Sequence, residues 1–310
     1  MSLSFVFPGQ GSQAVGMLSA LAAVHPEIAA TFAEASDAIG LDLWTLSQAG
    51  PDSELGRTEN TQPALLAAAV AVWRAWRAAG GPEPQFLAGH SLGEYSALVC
   101  AGALTLADAM RLVRLRGQAM QEAVPAGTGA MAAVLNASPD LVQECCAQAA
   151  DGEVVQAANF NSPGQIVIAG ASTAVERAIA QLAAKGVRRV IKLPVSVPSH
   201  CELMRPAALK LAAALEKVAL QSPVIPVLQN VDARPRQIPA EIRGALVQQL
   251  YSAVRWTETV EVLATQGVTH VVECGPGKVL TGLVKRIEER LVGHAIGEPA
   301  GFDVALEALR

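Results

Sequence analysis

The sequence predicts an α/β protein: a large domain built on a mostly parallel sheet, interrupted by a small ferredoxin-like domain. Three observations lead there. Strand-like and helix-like segments alternate along most of the 310 residues. The middle of the chain reads β-α-β-β-α-β instead, the ferredoxin-like order. A Gly-x-Ser-x-Gly pentapeptide, Gly89 to Gly93, falls where a strand should give way to a helix.

Taken in order, "LSFVFP" (3–8) is an apolar run of strand length closed by Pro8. Residues 20–40 and 62–79 are alanine-rich and helical in spacing. "PQFLAG" (84–89) is a second strand, and a helical run follows from Leu92. "LADAMRLVRLRGQAMQEAV" (106–124) is a strongly periodic helix. Further on come strand "IPVLQNV" (225–231), helix "IRGALVQQLYSAV" (242–254), strand "VTHVVECG" (268–275) and helix "GKVLTGLVKRIEERL" (277–291). Such alternation implies parallel strands with helices on both faces. The middle supplies strand "GAMAAVLNA", helix "SPDLVQECCAQAA", strand "EVVQAANFN", a Ser-Pro-Gly turn, strand "QIVIAGA", helix "AVERAIAQLAAKG" and strand "RRVIKLPVS" (188–196). The expected small domain is therefore 126–196, and the large domain is discontinuous, 1–125 and 197–310.

Composition excludes several classes. Apolar residues make up 51% and charged residues 16%, which suits a well-buried core and not disorder. No stretch approaches the ~18 uninterrupted apolar residues of a membrane span, and the N-terminus lacks the basic flank of a signal peptide. A cytoplasmic protein is expected. Net charge is −5 with no long basic stripe, so nucleic acid is not an expected partner. The cysteines, Cys100, Cys145, Cys146, Cys201 and Cys274, are odd in number and form no C-x-x-C pair. Neither a disulfide framework nor a metal site is expected.

In Gly89-His90-Ser91-Leu92-Gly93 the strand-to-helix turn would hold Ser91 clear of the sheet as a nucleophile. The helix N-terminus and the Leu92 N–H would favour negative charge beside it. A plain glycine-rich turn has the same pattern. Serine needs a base. Of the five histidines, His25 lies in a helical region, His294 in the tail, and His90 beside Ser91 points elsewhere. His200 and His270 remain. His200 follows a strand, at the carboxyl edge where such sheets present ligands; His270 opens a strand, at the opposite edge. Position favours His200, although a histidine so placed serves packing as readily as catalysis. Asp232 with His270 would complete a hydrolase triad in the order Ser, acid, His. No acid stands out at a strand end between Ser91 and His200, so a backbone carbonyl or side-chain amide would have to orient His200 instead.

Seven segments, "FVFPGQGSQ", "GHSLGEYSAL", "RLRGQAMQEAV", "AANFNSPGQIVIAG", "VPSHCELM", "QQLYSAVRW" and "ECGPGKVLTGL", occur in an order and spacing that closely resembles the malonyl-CoA:acyl carrier protein transacylases of fatty-acid synthesis. The acyltransferase domains of polyketide synthases are their cousins. The resemblance covers residue 4 to about 290. It implies an α/β-hydrolase-like large domain with a ferredoxin-like insert. It implies that Ser91 is acylated, that His200 is base and acid, and that the main-chain carbonyl of Gln249 orients His200. It further implies an oxyanion hole from Gln10 and the Leu92 N–H, and a role for Arg116 in holding the malonyl carboxylate. Malonyl-CoA and acyl carrier protein would be the partners, with no metal or bound cofactor, and a monomer is expected. In polyketide relatives the residue before the histidine, here Ser199, leans to methylmalonyl; in the fatty-acid enzymes the same serine accompanies malonyl. Leu92 matches the fatty-acid form, so malonyl is expected. A stand-alone acyltransferase of polyketide or malonate metabolism and a serine thioesterase are the alternatives.

The residues bear on these roles independently. Arg116 shares a helical stripe with Leu112, Val113 and Met120, whereas Arg111 and Arg114 turn away. A guanidinium facing the core needs an anion, either a substrate carboxylate or an internal acid such as Glu94. "GQGSQA" after the first strand also fits a dinucleotide turn, G-x-G-x-x-A. That turn should lead through one helix to a second strand ending in an acid. Here Asp37 falls within a helical stretch, so a tight turn projecting Gln10 is the better fit. "NFNSPGQ" is either a pocket mouth shaped by Asn159 or Asn161, or a hairpin turn. "GVRRVIK" and "LVKRIEER" are basic clusters, solvated faces or contacts for an acidic carrier protein.

Overall fold

The computed structural model of the chain describes residues 2–195 and 197–310, so Ser196, the last residue of the expected strand 188–196, lies outside the described residues. Among the described residues nine strands form two sheets: β1 (Leu3–Phe7), β2 (Phe86–Gly89), β3 (Gly129–Leu135), β4 (Val155–Ser162), β5 (Gln165–Ala171), β6 (Arg189–Lys192), β7 (Val227–Leu228), β8 (His270–Glu273) and β9 (Val292–Ala295). The first sheet runs β7-β2-β1-β8-β9 with every pairing parallel. β1 lies at its centre and is buried at all five residues, as a strand covered on both faces must be. Phe7 pairs with Gly89, so the turns after β1 and β2 leave the sheet side by side. That edge is where an open parallel sheet binds its ligands.

The second sheet runs β4-β5-β3-β6, all antiparallel. Its residues alternate between two faces, as the period of a strand requires. Ala132, Val134, Ile166 and Ile168 pack on helices Pro139–Ala149 and Ser172–Ala184, whose buried stripes include Val142, Cys145, Cys146, Val175, Ala178 and Leu182. Met131, Ala158, Val167 and Ala169 face the other way and pack on Cys201 of the larger part.

Helix Thr58–Ala78 is the centre of the main core. Its alanines are buried almost all round, which lets helices Pro26–Ile39 and Leu106–Ala123 pack against it closely. Trp73 and Trp76 meet Phe5 of β1 edge-on at 5.2 and 5.5 Å between ring centroids.

Several expected elements differ in extent. The stretch 20–40 is two helices, Ser19–Ala22 and Pro26–Ile39, because Pro26 opens a new helix at its first turn. Among the described residues no strand follows them before β2, so the dinucleotide turn has no second strand to lead to. Of "IPVLQNV" Val227 and Leu228 form β7, with the Pro226 carbonyl also accepting from Leu87 of β2; the chain beyond Leu228 turns away and supplies Asn230 to the site. Helix Val279–Ile287 ends earlier than 291, and β9 and helix Pro299–Leu309 follow it. His294 accordingly lies in a strand and not in a tail.

Candidate active site

β2 ends at Gly89, and the chain turns through His90, Ser91 and Leu92 into helix Gly93–Cys100. The turn is so tight that a Cβ on Gly93 would sit 2.0 Å from the Phe7 carbonyl oxygen, and one on Gly89 would sit 1.8 Å from the Gly93 carbonyl carbon. Ser91 itself is held at φ +51°, a left-handed conformation that costs a non-glycine residue free energy. Asn230 holds it there. Its Oδ1 accepts the Ser91 N–H at 2.7 Å, and its Nδ2 donates to the Gly89 carbonyl at 2.6 Å.

His200 is also left-handed, at φ +63°, and buried. Its N–H donates to the Leu250 carbonyl, and its ring spans two partners. Nδ1 lies 2.8 Å from the Gln249 carbonyl oxygen, and Nε2 lies 2.7 Å from Ser91 Oγ. A carbonyl oxygen only accepts, so the ring proton sits on Nδ1 and Nε2 is free to take the serine proton. Burial, with the Arg116 charge beside it, pushes the imidazole down to about 3. The ring is therefore neutral at any ordinary pH.

Arg116 projects from helix Leu106–Ala123 and is only 2% exposed. Its guanidinium donates to Gln62 Oε1 at 2.9 Å, Gln249 Oε1 at 3.0 Å and Ser91 Oγ at 3.3 Å. All three acceptors are neutral. Glu94, the internal acid the sequence offers as its partner, does not touch it; the Gln249 amide lies between, its Oε1 accepting from Arg116 and its Nε2 donating to Glu94 Oε2 at 3.0 Å. Burial pushes the Glu94 carboxyl up to about 7, against hydrogen bonds from Asn230 and Gln249.

Gln10, Ser91, Leu92, Arg116, Asn159, Ser199 and His200 line one cavity of about 180 Å³ between the two sheets. Gln10 stands exposed after β1, its Nε2 3.4 Å from Thr58 Oγ1. The Leu92 N–H has no hydrogen-bond partner among the described residues. Gln249 lies behind His200 and does not line the cavity. Met131, Val167, Leu193 and Val195 make the wall on the side of the second sheet. Asn161 and His90 line the same cavity, with Asn161 Oδ1 2.8 Å from His90 Nε2. Asp232 and His270 do not come together with Ser91. Asp232 pairs with Arg236 at 2.9 and 2.7 Å, and His270 Nδ1 lies 3.1 Å from His294 Nε2 where β8 and β9 run side by side. Asn230, Gln62 and the side chain of Gln249 are the site residues that sequence reasoning missed. Asn230 alone left a signal, an amide at the carboxyl end of a strand beside β2.

A serine–imidazole pair without a carboxylate, beside a buried guanidinium, suits an acyl group that brings its own negative charge. Fold and site together place the chain among serine-dependent acyl-transferring α/β proteins. Comparison narrows this. Residues 4–290 match the acyl transferase domain family. The chain is 57% identical over 303 residues to the malonyl CoA-acyl carrier protein transacylase of Salmonella typhimurium, covering 98% of each chain. It is similar to the crystal structure of malonyl-CoA:acyl carrier protein transacylase from Xanthomonas oryzae pv. oryzae, with TM-score 0.98, 59% identity, and 100% and 99% of the two chains covered. A malonyl-transacylase solved in complex with a type II PKS acyl-carrier protein matches with TM-score 0.98 and 54% identity, over 99% of this chain and 100% of that one. The chain belongs to the malonyl CoA-acyl carrier protein transacylase family of acyltransferases.

Proposed function

We propose that the chain moves a malonyl group from coenzyme A to the phosphopantetheine thiol of acyl carrier protein, through a malonyl ester on Ser91, and so feeds fatty-acid synthesis. The observation that carries this is the 2.7 Å approach of Ser91 Oγ to His200 Nε2, with the Arg116 guanidinium 3.3 Å from the same oxygen. In the first half, Nε2 takes the hydroxyl proton as Oγ attacks the thioester carbonyl. The oxyanion rests against Gln10 and the Leu92 N–H, each donor contributing ~3 kcal/mol. The C–S bond then breaks, and His200 returns the proton to the leaving thiol. In the second half the carrier thiol attacks the serine ester, and His200 moves its proton to Ser91 Oγ. The Gln249 carbonyl keeps the imidazole in the tautomer both halves need.

Arg116 supplies selectivity. Its present partners are neutral oxygens, so a carboxylate that exchanges for one of them gains a charge-assisted, fork-shaped contact. Ser199 and Asn159 border the acyl space. The solved pairing of a malonyl-transacylase with an acyl-carrier protein supports the second substrate. The all-parallel sheet and its nucleophile turn support an α/β-hydrolase-like large domain, 1–125 and 197–310, and the order β4-β5-β3-β6 supports a ferredoxin-like domain, 126–196. The enzyme in this reading is a cytoplasmic monomer that uses no metal or bound cofactor. No helix among the described residues is long and apolar enough to cross a membrane.

Rapid mixing with labelled malonyl-CoA, followed by peptide mapping, tests the scheme. One malonyl group per chain on Ser91 is expected, and none on the S91A variant. An unlabelled Ser91 in an enzyme that still loads carrier protein refutes it. Competition among malonyl-, methylmalonyl- and acetyl-CoA then fixes the acyl preference.

A further inference from the structure

The buried charges beside Ser91 are balanced at one remove. Arg116 and Glu94 are 2% and 0% exposed, yet a neutral amide separates them. Gln249 Oε1 accepts from Arg116 at 3.0 Å and Gln249 Nε2 donates to Glu94 at 3.0 Å, so one dipole links cation to anion in the favourable sense. Glu94 Oε2 also accepts the Asn230 N–H at 2.8 Å, while Oε1 has no partner among the described residues. The other buried acid among the described residues, Glu273, is accounted for elsewhere, by the N–H groups of Leu280 and Thr281 at the start of a helix.

We propose that Glu94 is the internal counter-charge of Arg116, and that it takes up a proton from solvent when the malonyl carboxylate of the substrate reaches that guanidinium. The proposal rests on the malonyl reading above. One buried cation shared by two buried carboxylates forces one of them towards its neutral form. The malonyl carboxylate, an ordinary acid from solution, brings its charge with it. Glu94 is held by burial at about 7, so it is the easier group to protonate. The unpartnered Oε1 costs less as part of a neutral carboxyl than as part of an anion.

The groups around Glu94 leave little competition for that proton. Arg236 is engaged by Asp232. The Tyr95 phenol, beside it in the chain, is pushed up by burial and stays neutral. His200, held down to about 3, is a far poorer acceptor. His90, also pushed down by burial, is engaged by Asn161.

Calorimetric titration of the S91A variant with malonyl-CoA at pH 7.5, in two buffers of different ionisation enthalpy, tests this without any acyl transfer. Acetyl-CoA is the carboxylate-free comparison. Uptake of roughly half to three quarters of a proton is expected with malonyl-CoA and none with acetyl-CoA. Malonyl-CoA affinity should fall by up to about tenfold per pH unit above pH 7. Both effects should vanish on adding E94Q, whose amide oxygen can still accept from Asn230 and Gln249; a purely structural Glu94 would leave them unchanged. Tighter malonyl-CoA than acetyl-CoA binding with no proton uptake, or uptake that survives E94Q, overturns the proposal and leaves the Arg116 reading intact. Malonyl-CoA binding no tighter than acetyl-CoA overturns both.

Discussion

Arg116→Ala tests the proposed acyl-selecting charge. The substitution withdraws a guanidinium whose partners are Gln62, Gln249 and Ser91, all in or beside the cavity. With malonyl-CoA bound, it strands the malonyl carboxylate in a space where, among the described residues, that guanidinium is the one formal positive charge. Removing one partner of a buried ion pair costs about 3–5 kcal/mol. At about 1.4 kcal/mol per factor of ten, kcat/KM for malonyl-CoA should fall by roughly two to three and a half powers of ten. Acetyl-CoA has no carboxylate to strand, so its kcat/KM should stay within about tenfold. The two Gln oxygens lose a donor at ~1–3 kcal/mol each, offset by relief of a desolvated cation. The assay is carrier-protein loading with both thioesters in competition, which reads the ratio of kcat/KM directly. Acetyl loading also reports that the variant is folded. A malonyl-to-acetyl ratio that falls by less than tenfold would mean that Arg116 does not hold the carboxylate.

Three further outcomes follow from the geometry. The His200 imidazole is pushed down to about 3, so it stays unprotonated as pH falls from 7 to 5 and is lost as a base only below that; kcat/KM for malonyl-CoA should show no acid-side loss near pH 6.5 in a steady-state pH profile. Gly93→Ala drives a Cβ to 2.0 Å from the Phe7 carbonyl oxygen, and should destabilise the fold by about 3 kcal/mol or more in denaturant melts, with activity lost. Asn230→Ala unpairs the Ser91 N–H and the Gly89 carbonyl at ~1–3 kcal/mol each; it should lower kcat by at least about tenfold with KM little changed, measured with malonyl-CoA.

What could be read from the sequence was whatever local spacing encodes. The Gly-x-Ser-x-Gly turn between strand and helix drew attention to Ser91, the position of His200 after a strand set it above His270, and a three-and-four spacing put Arg116 among Leu112, Val113 and Met120. The supporting amides had no such signal. Gln62 meets Arg116 across 54 positions and Asn230 meets Ser91 across 139, and no periodicity connects residues so far apart. The resemblance points to the Gln249 carbonyl only; nothing local says that its side chain would separate Arg116 from Glu94. The short strands were less legible for a different reason. β7 is two residues inside the longer expected strand 225–231, and β9, four residues, was not expected; strands so brief show little alternation, and each pairs in the sheet because its neighbour is already in place.

The left-handed backbone at Ser91 limits which atoms can ever do its job. Threonine carries a hydroxyl of similar basicity, but a branched Cβ is poorly tolerated at φ +51°. Cysteine is unbranched and fits the same torsion. The joint after β2 therefore sorts nucleophiles by branching before reactivity counts: a thiol is an admissible exchange for the alcohol, and a secondary alcohol is not.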